Sequence, residues 1–131
     1  MRIAFDTNIY VSAFILPGSR ADVAILKVID GADQLLISKP ILDELLGVLA
    51  RKFSRNADEL ARAAVFLYEI AEFVQPRRKI RGLADQPDNR ILECALAGKA
   101  EAILTRDKAM LELKEFKGIR MLSLKTYLGM A

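Results

Sequence analysis

Short runs, apolar but for Arg120, at residues 3–5, 35–37, 73–74, 102–104 and 119–122 are separated by longer stretches with helical spacing. A strand without a polar face cannot lie at a wet surface, so each run must be buried on both sides, and the intervening helices have to do the covering. The alternation predicts an α/β chain with a central parallel sheet. Helices are expected over residues 7–16, stopped by Pro17-Gly18, and over 20–30, with Gly31 as the C-terminal signal. A third should run from Ser38, a good N-cap, through Pro40 in its first turn to about Phe53. Asn56 with Glu59 three residues on predicts a capping-box start for a helix through Glu72. The next begins near Pro87-Asp88 and ends at Gly98, and shorter ones are expected at 108–113 and 124–128. There is no internal repeat, low-complexity tract or long linker, so residues 1–131 are read as one domain.

Composition narrows the chemistry more than the fold. At 131 residues and 53% apolar the chain can bury a core without disulfides or a structural metal. The single cysteine, Cys94, excludes an intrachain disulfide and any multi-thiolate zinc site. The absence of histidine excludes Ser-His-Asp and Cys-His nucleophiles and histidine-ligated metals. Chemistry here must come from carboxylates, Lys/Arg, hydroxyls or a hard metal ion. No segment approaches the length of an uncharged membrane span, and Asp6 interrupts the first apolar run too early for a signal peptide, so a cytoplasmic protein is expected. The net charge of +3 suits an anionic partner if the bases cluster, as they do at Arg51-Lys52 with Arg55 and at Arg77-Arg78-Lys79 with Arg81.

Ligands of an open parallel sheet bind beyond the C-terminal strand ends, where strand order reverses. Asp6 directly follows the first run, and Asp107 follows the run at 102–104 after Thr105 and Arg106. Either could instead cap the next helix. Asp88 heads the stripe formed by Ile91, Leu92, Ala95 and Leu96, so its carboxylate points along the face that must be buried. Asp85 lies near the same stripe. Glu93 is about 140° from Asp88 around a helix turning ~100° per residue and is expected in solvent. Asp43 and Glu44 flank the apolar stripe of the 38–53 helix on opposite edges, and periodicity does not choose between them.

Four segments in this order, IAFDTNIYVSA (3–13), SKPILDELLGVL (38–49), DQPDNRILECAL (85–96) and AILTRD (102–107), resemble the PIN-domain nucleases, in particular those regarded as toxins of prokaryotic toxin-antitoxin pairs. The resemblance covers almost the whole chain. It implies a three-layer α/β/α sandwich with a parallel sheet of order 3-2-1-4-5, which sets the ends of the first and fourth strands side by side. It makes Asp6, Glu44, Asp88 and Asp107 an acidic quartet, choosing Glu44 over Asp43. Asn8 and Thr105 match polar positions that orient the metal, its water or a ligand carboxylate, and Asp85 matches an auxiliary acid. The position before Ala102, often Asp in such proteins, is Glu101 here.

Gathered carboxylates repel one another, at about 4 kcal/mol per pair ~4 Å apart in an effective dielectric near 20. A divalent cation relieves this, and an all-oxygen ligand set favours Mg²⁺ or Mn²⁺. One or two such ions would suit hydrolysis of RNA phosphodiesters without histidine. Arg90 and Arg106, close in sequence to Asp88 and Asp107, and the loop bases Arg77, Arg78, Lys79 and Arg81 are candidates for holding the polyanion. The resemblance further implies a small DNA-binding antitoxin and a homodimer. A stand-alone RNA-processing enzyme would carry the same residues, and a neighbouring antitoxin gene would separate the two. Other Mg²⁺-binding α/β modules fit less well. A phosphoacceptor receiver wants paired acids after its first strand, and a dehalogenase-type phosphatase wants an acid where Asn8 stands.

Overall fold

A computed structural model describes residues 1–31, 33–77, 79 and 86–130, apart from the side chains of residues 86–88. Strand β1 (Arg2–Phe5) leads into helices α1 (Thr7–Ile15) and α2 (Arg20–Ile29). Then follow β2 (Gln34–Ser38), α3 (Lys39–Phe53), α4 (Ala57–Ile70), β3 (Ala71–Val74) and α5 (Gln86–Ala97). The chain continues through β4 (Ala102–Leu104), α6 (Lys108–Leu113), β5 (Glu115–Phe116), β6 (Ile119–Leu122) and α7 (Leu124–Leu128).

The strands form one sheet of order β3-β2-β1-β4-β6-β5. The first five in that list are parallel, in the expected order, and their middle members are buried on both faces. The sixth, β5, was not expected. It is a two-residue arm, antiparallel to β6, turned back through Lys117 and Gly118, both at positive φ. Two residues carry too little hydrophobic pattern to announce a strand.

Helix starts follow local chemistry in most places. The Asn56 side chain accepts from the Glu59 backbone N–H at 2.9 Å, and the Glu59 carboxylate accepts from the Asn56 N–H at 3.1 Å, completing the capping box. Ser38 is one exception. It occupies the N-cap position of α3 but makes no capping bond, and its side chain is fully buried.

Two contacts decide how closely the layers approach. Gly98, just past α5, lies so near the sheet that a Cβ there would meet Leu36 Cδ1 at 2.7 Å. At the N-terminal edge of the sheet Asp33 ties α7 and α2 to the strands. Its carboxylate accepts from the Tyr127 hydroxyl at 2.6 Å and the Met1 amine at 3.0 Å, with Lys27 Nζ at 3.5 Å. Among the described residues no single helix is long and apolar enough to cross a membrane.

Burial pushes the Asp33 carboxyl pKa up, but the bonds from Tyr127 and the Met1 amine and the charge of Lys27 outweigh it, and the net shift is downward. A carboxyl pKa depressed by folding stabilises above its unfolded value, and that contribution is lost as pH falls through the folded value. Asp33→Asn should therefore cost about 2 kcal/mol in urea unfolding at neutral pH, the scale of charged hydrogen bonds. The gap to wild type should close as pH drops below the ordinary aspartate range.

Candidate active site at the ends of strands one and four

The adjacency of β1 and β4 brings two of the predicted acids to one place. The backbone N–H of Asp6 donates to Leu104 O at 2.9 Å, extending the pairing one residue past β1. Across that seam Thr105 Oγ1 donates to Asp6 Oδ2 at 2.8 Å and accepts from the Asp107 backbone N–H at 3.0 Å. Thr105 is fully buried and Asp6 is 5% exposed. One hydroxyl thus connects the Asp6 carboxylate to the backbone of Asp107.

The two aspartates resolve the choice between capping and site chemistry differently. Asp107 does cap: its Oδ1 accepts from the Met110 N–H at 3.0 Å at the start of α6. Asp6 occupies the N-cap position of α1 but makes no side-chain capping bond. A carboxylate taken almost wholly out of water, and not employed in capping, needs another compensating partner, and Thr105 supplies a neutral one.

On α3 the structure separates the acids that periodicity left tied. Asp43 is exposed and paired with Lys39 at 2.9 Å, while Glu44 is half-buried. Asn8, the second residue of α1, is exposed. Asp88 lies in the first turn of α5, whose Ile91, Leu92 and Ala95 are buried as its stripe requires, but its side chain lies outside the described residues. So do all of Asp85, Arg78 and Arg81. Among the described residues no group of three acids is gathered closely enough to hold a metal ion.

Glu93 corrects an expectation. It is buried, not solvated, and binds Arg90 through two contacts, Nε to Oε1 at 2.6 Å and Nη2 to Oε2 at 2.8 Å. Donating to the Glu93 carboxylate raises the Arg90 pKa further. Nearly every side of α5 is covered, with Asn89, Glu93 and Cys94 all buried beside the apolar stripe, so angular distance from the stripe does not imply solvent. Arg90 is thereby fixed by its own helix. Arg106, next to Asp107, is exposed and donates to Ser12 Oγ of α1 at 2.7 Å, while Arg77 and Lys79 are exposed. Sequence reasoning also missed a cluster of hydroxyls and thiol beside this seam. Tyr10 Oη and Ser38 Oγ are buried with no hydrogen-bond partner. Burial pushes the Cys94 thiol up to about 12, with the Ser38 hydroxyl acting against it.

A PIN domain family model matches residues 2–109. The chain belongs to the PIN domain family. The chain of VapBC2 from Rickettsia felis that it matches, in a crystal structure with a DNA fragment from their promoter, superposes with a TM-score of 0.69 at 18% identity, covering 94% of this chain and 98% of that one. A chain of VapBC-1 from nontypeable Haemophilus influenzae gives 0.66 at 19% identity, covering 95% and 99%. An uncharacterized protein of Methanocaldococcus jannaschii, MJ1680, is 24% identical over 119 residues, 88% of this chain and 76% of its own length. The α/β architecture found here is the PIN fold, with β5 as an added antiparallel edge.

Thr105 is the hinge of this geometry. Thr105→Val keeps its shape and removes both bonds, so it should destabilise the fold by about 1–3 kcal/mol in urea unfolding, whereas Thr105→Ser should recover most of the loss.

Proposed function

We propose that the chain is a divalent-metal-dependent endoribonuclease, acting in the cytoplasm as the toxin of a toxin-antitoxin pair. The observation that carries this reading is the buried Asp6 carboxylate, joined through Thr105 to the Asp107 turn at the strand-order reversal. PIN domains are generally nucleases, and the VapBC likenesses favour the toxin assignment.

The donor set suits a hard cation. Asp6, Asp107 and Glu44 offer only oxygen, the chain has no histidine, and its one thiol is buried and held protonated. Asp6 and Asp107 are assigned to direct ligation, Asp88 to the same ion or a second one, and Glu44 to ligation through water or to orienting the attacking water. Asn8 and Asp85 stand as auxiliary groups. Mg²⁺ or Mn²⁺, when bound, would supply an activated water and neutralise charge on the leaving oxygen.

The protein's own residues perform the rest. Thr105 holds one edge of Asp6 and fixes that carboxylate at the strand ends. Arg106 has a guanidinium anchored by Ser12 beside Asp107, where it can meet an RNA phosphate without losing its orientation. Arg90 already gives Nε and one Nη2 hydrogen to Glu93, which leaves three of its five N–H donors, two on Nη1 and one on Nη2. Arg77, Arg78, Lys79 and Arg81 are assigned to binding the RNA in this reading. The partners are single-stranded RNA, a small DNA-binding antitoxin and a second copy of the chain. Exposed Leu16, Val23, Leu26 and Ile29 around α2 give protein contacts an apolar surface.

Incubation with mixed-sequence single-stranded RNA tests the proposal. Cleavage is expected with Mn²⁺ or Mg²⁺ and none with EDTA or in Asp6→Asn, and expression of wild type but not Asp6→Asn should arrest growth. Cleavage that survives Asp6→Asn would refute the assigned site.

A further inference from the structure

The Ser38 hydroxyl is left unused by the reading above. Ser38 closes β2 and is fully buried, it does not cap α3, and among the described residues the one polar group beside its hydroxyl is the Cys94 thiol. Buried hydroxyls are nearly always bonded, because their lost hydration is otherwise unrepaid. One that is not calls for a partner of its own.

The sheet register locates it. β1 pairs with β2 through Ala4 and Leu36 and with β4 through Ala4 and Ile103. Two residues further along, Asp6 stands between Ser38 on one side and Thr105 on the other. Residues in register on parallel strands, and those two apart along one strand, project from the same face. The bond from Thr105 to Asp6 bears this out. That face is the one α5 covers, as the contact of Gly98 with Leu36 and the nearness of Ser38 to Cys94 require. A protonated thiol is a weak acceptor, so Cys94 does not satisfy the hydroxyl.

Resting on the cation-dependent reading, we infer that Ser38 is a positioning residue of the same site, its hydroxyl turning to the Asp6 carboxylate from the β2 side as Thr105 does from the β4 side. Two neutral donors on either side of one carboxylate fix its plane without adding charge, so that it meets a cation already oriented.

Calorimetric titration of Mn²⁺ into the full chain tests this, alongside melting in EDTA. Ser38→Ala should weaken Mn²⁺ binding about tenfold, the usual loss when an outer partner of a metal ligand is removed. Its melting temperature in EDTA should match or exceed that of wild type, since an unbonded buried hydroxyl has gone. Ser38→Thr, which keeps the hydroxyl, should bind more tightly than Ser38→Ala. Unchanged affinity in Ser38→Ala overturns the inference and leaves the proposed function standing. A lower EDTA melting temperature with unchanged affinity also overturns it, assigning Ser38 to the core beside Cys94. If wild type takes up no Mn²⁺, the proposed function itself fails, and the inference with it.

Discussion

The hydrogen bond from Thr105 to Asp6 joins residues 99 positions apart, and it exists because β1 lies between β2 and β4. Parallel strands need crossovers, and each crossover here deposits a helix on the sheet. The largely apolar strands are buried by those helices, and polar residues at the C-terminal ends of β1, β2 and β4 emerge at a common rim. Asp6, Ser38 and Thr105 share that rim because the strands that carry them share a register. A slip between β1 and β4 would part the carboxylate from its donor.

Charge is handled at the rim by individual pairings. Asp107 spends Oδ1 on a helix cap, Glu93 is neutralised by Arg90 within α5, and Arg106 is held by a neutral serine. The exposed pair of Lys39 and Asp43 contributes little in water, whereas the buried contacts of Asp6 and Glu93 cannot be lost without leaving a desolvated charge. The basic residues near the acids are therefore unequal: Arg90 serves the fold first, and Arg106 retains its exposure.

Much of the fold was legible from apolar patterning and turn chemistry. Four of the five parallel strands, the capping box at Asn56 and Glu59, and the helices at 108–113 and 124–128 stand where the sequence places them, while the helix expected through Glu72 ends at Ile70 and β3 takes Ala71 and Glu72. The arm β5 escaped because two residues have no period to read. Ser38 looked like an ordinary cap, and only burial shows that its hydroxyl has been withheld from that task. Glu93 was misplaced because a helix covered on several sides has no wet face opposite its apolar stripe.

The candidate site divides along the same line. Residue types alone excluded imidazole and multi-thiolate ligand sets, because the chain has no histidine and one cysteine. Local pattern determined that Asp6 and Asp107 follow strands. Tertiary structure decided that those strands are neighbours, that Asp107 caps while Asp6 does not, and that Glu44 is half-buried where Asp43 is paired in solvent. The reason is physical: a side chain's type and its place in an element are local properties, whereas its solvation and its partners depend on segments far away in the chain.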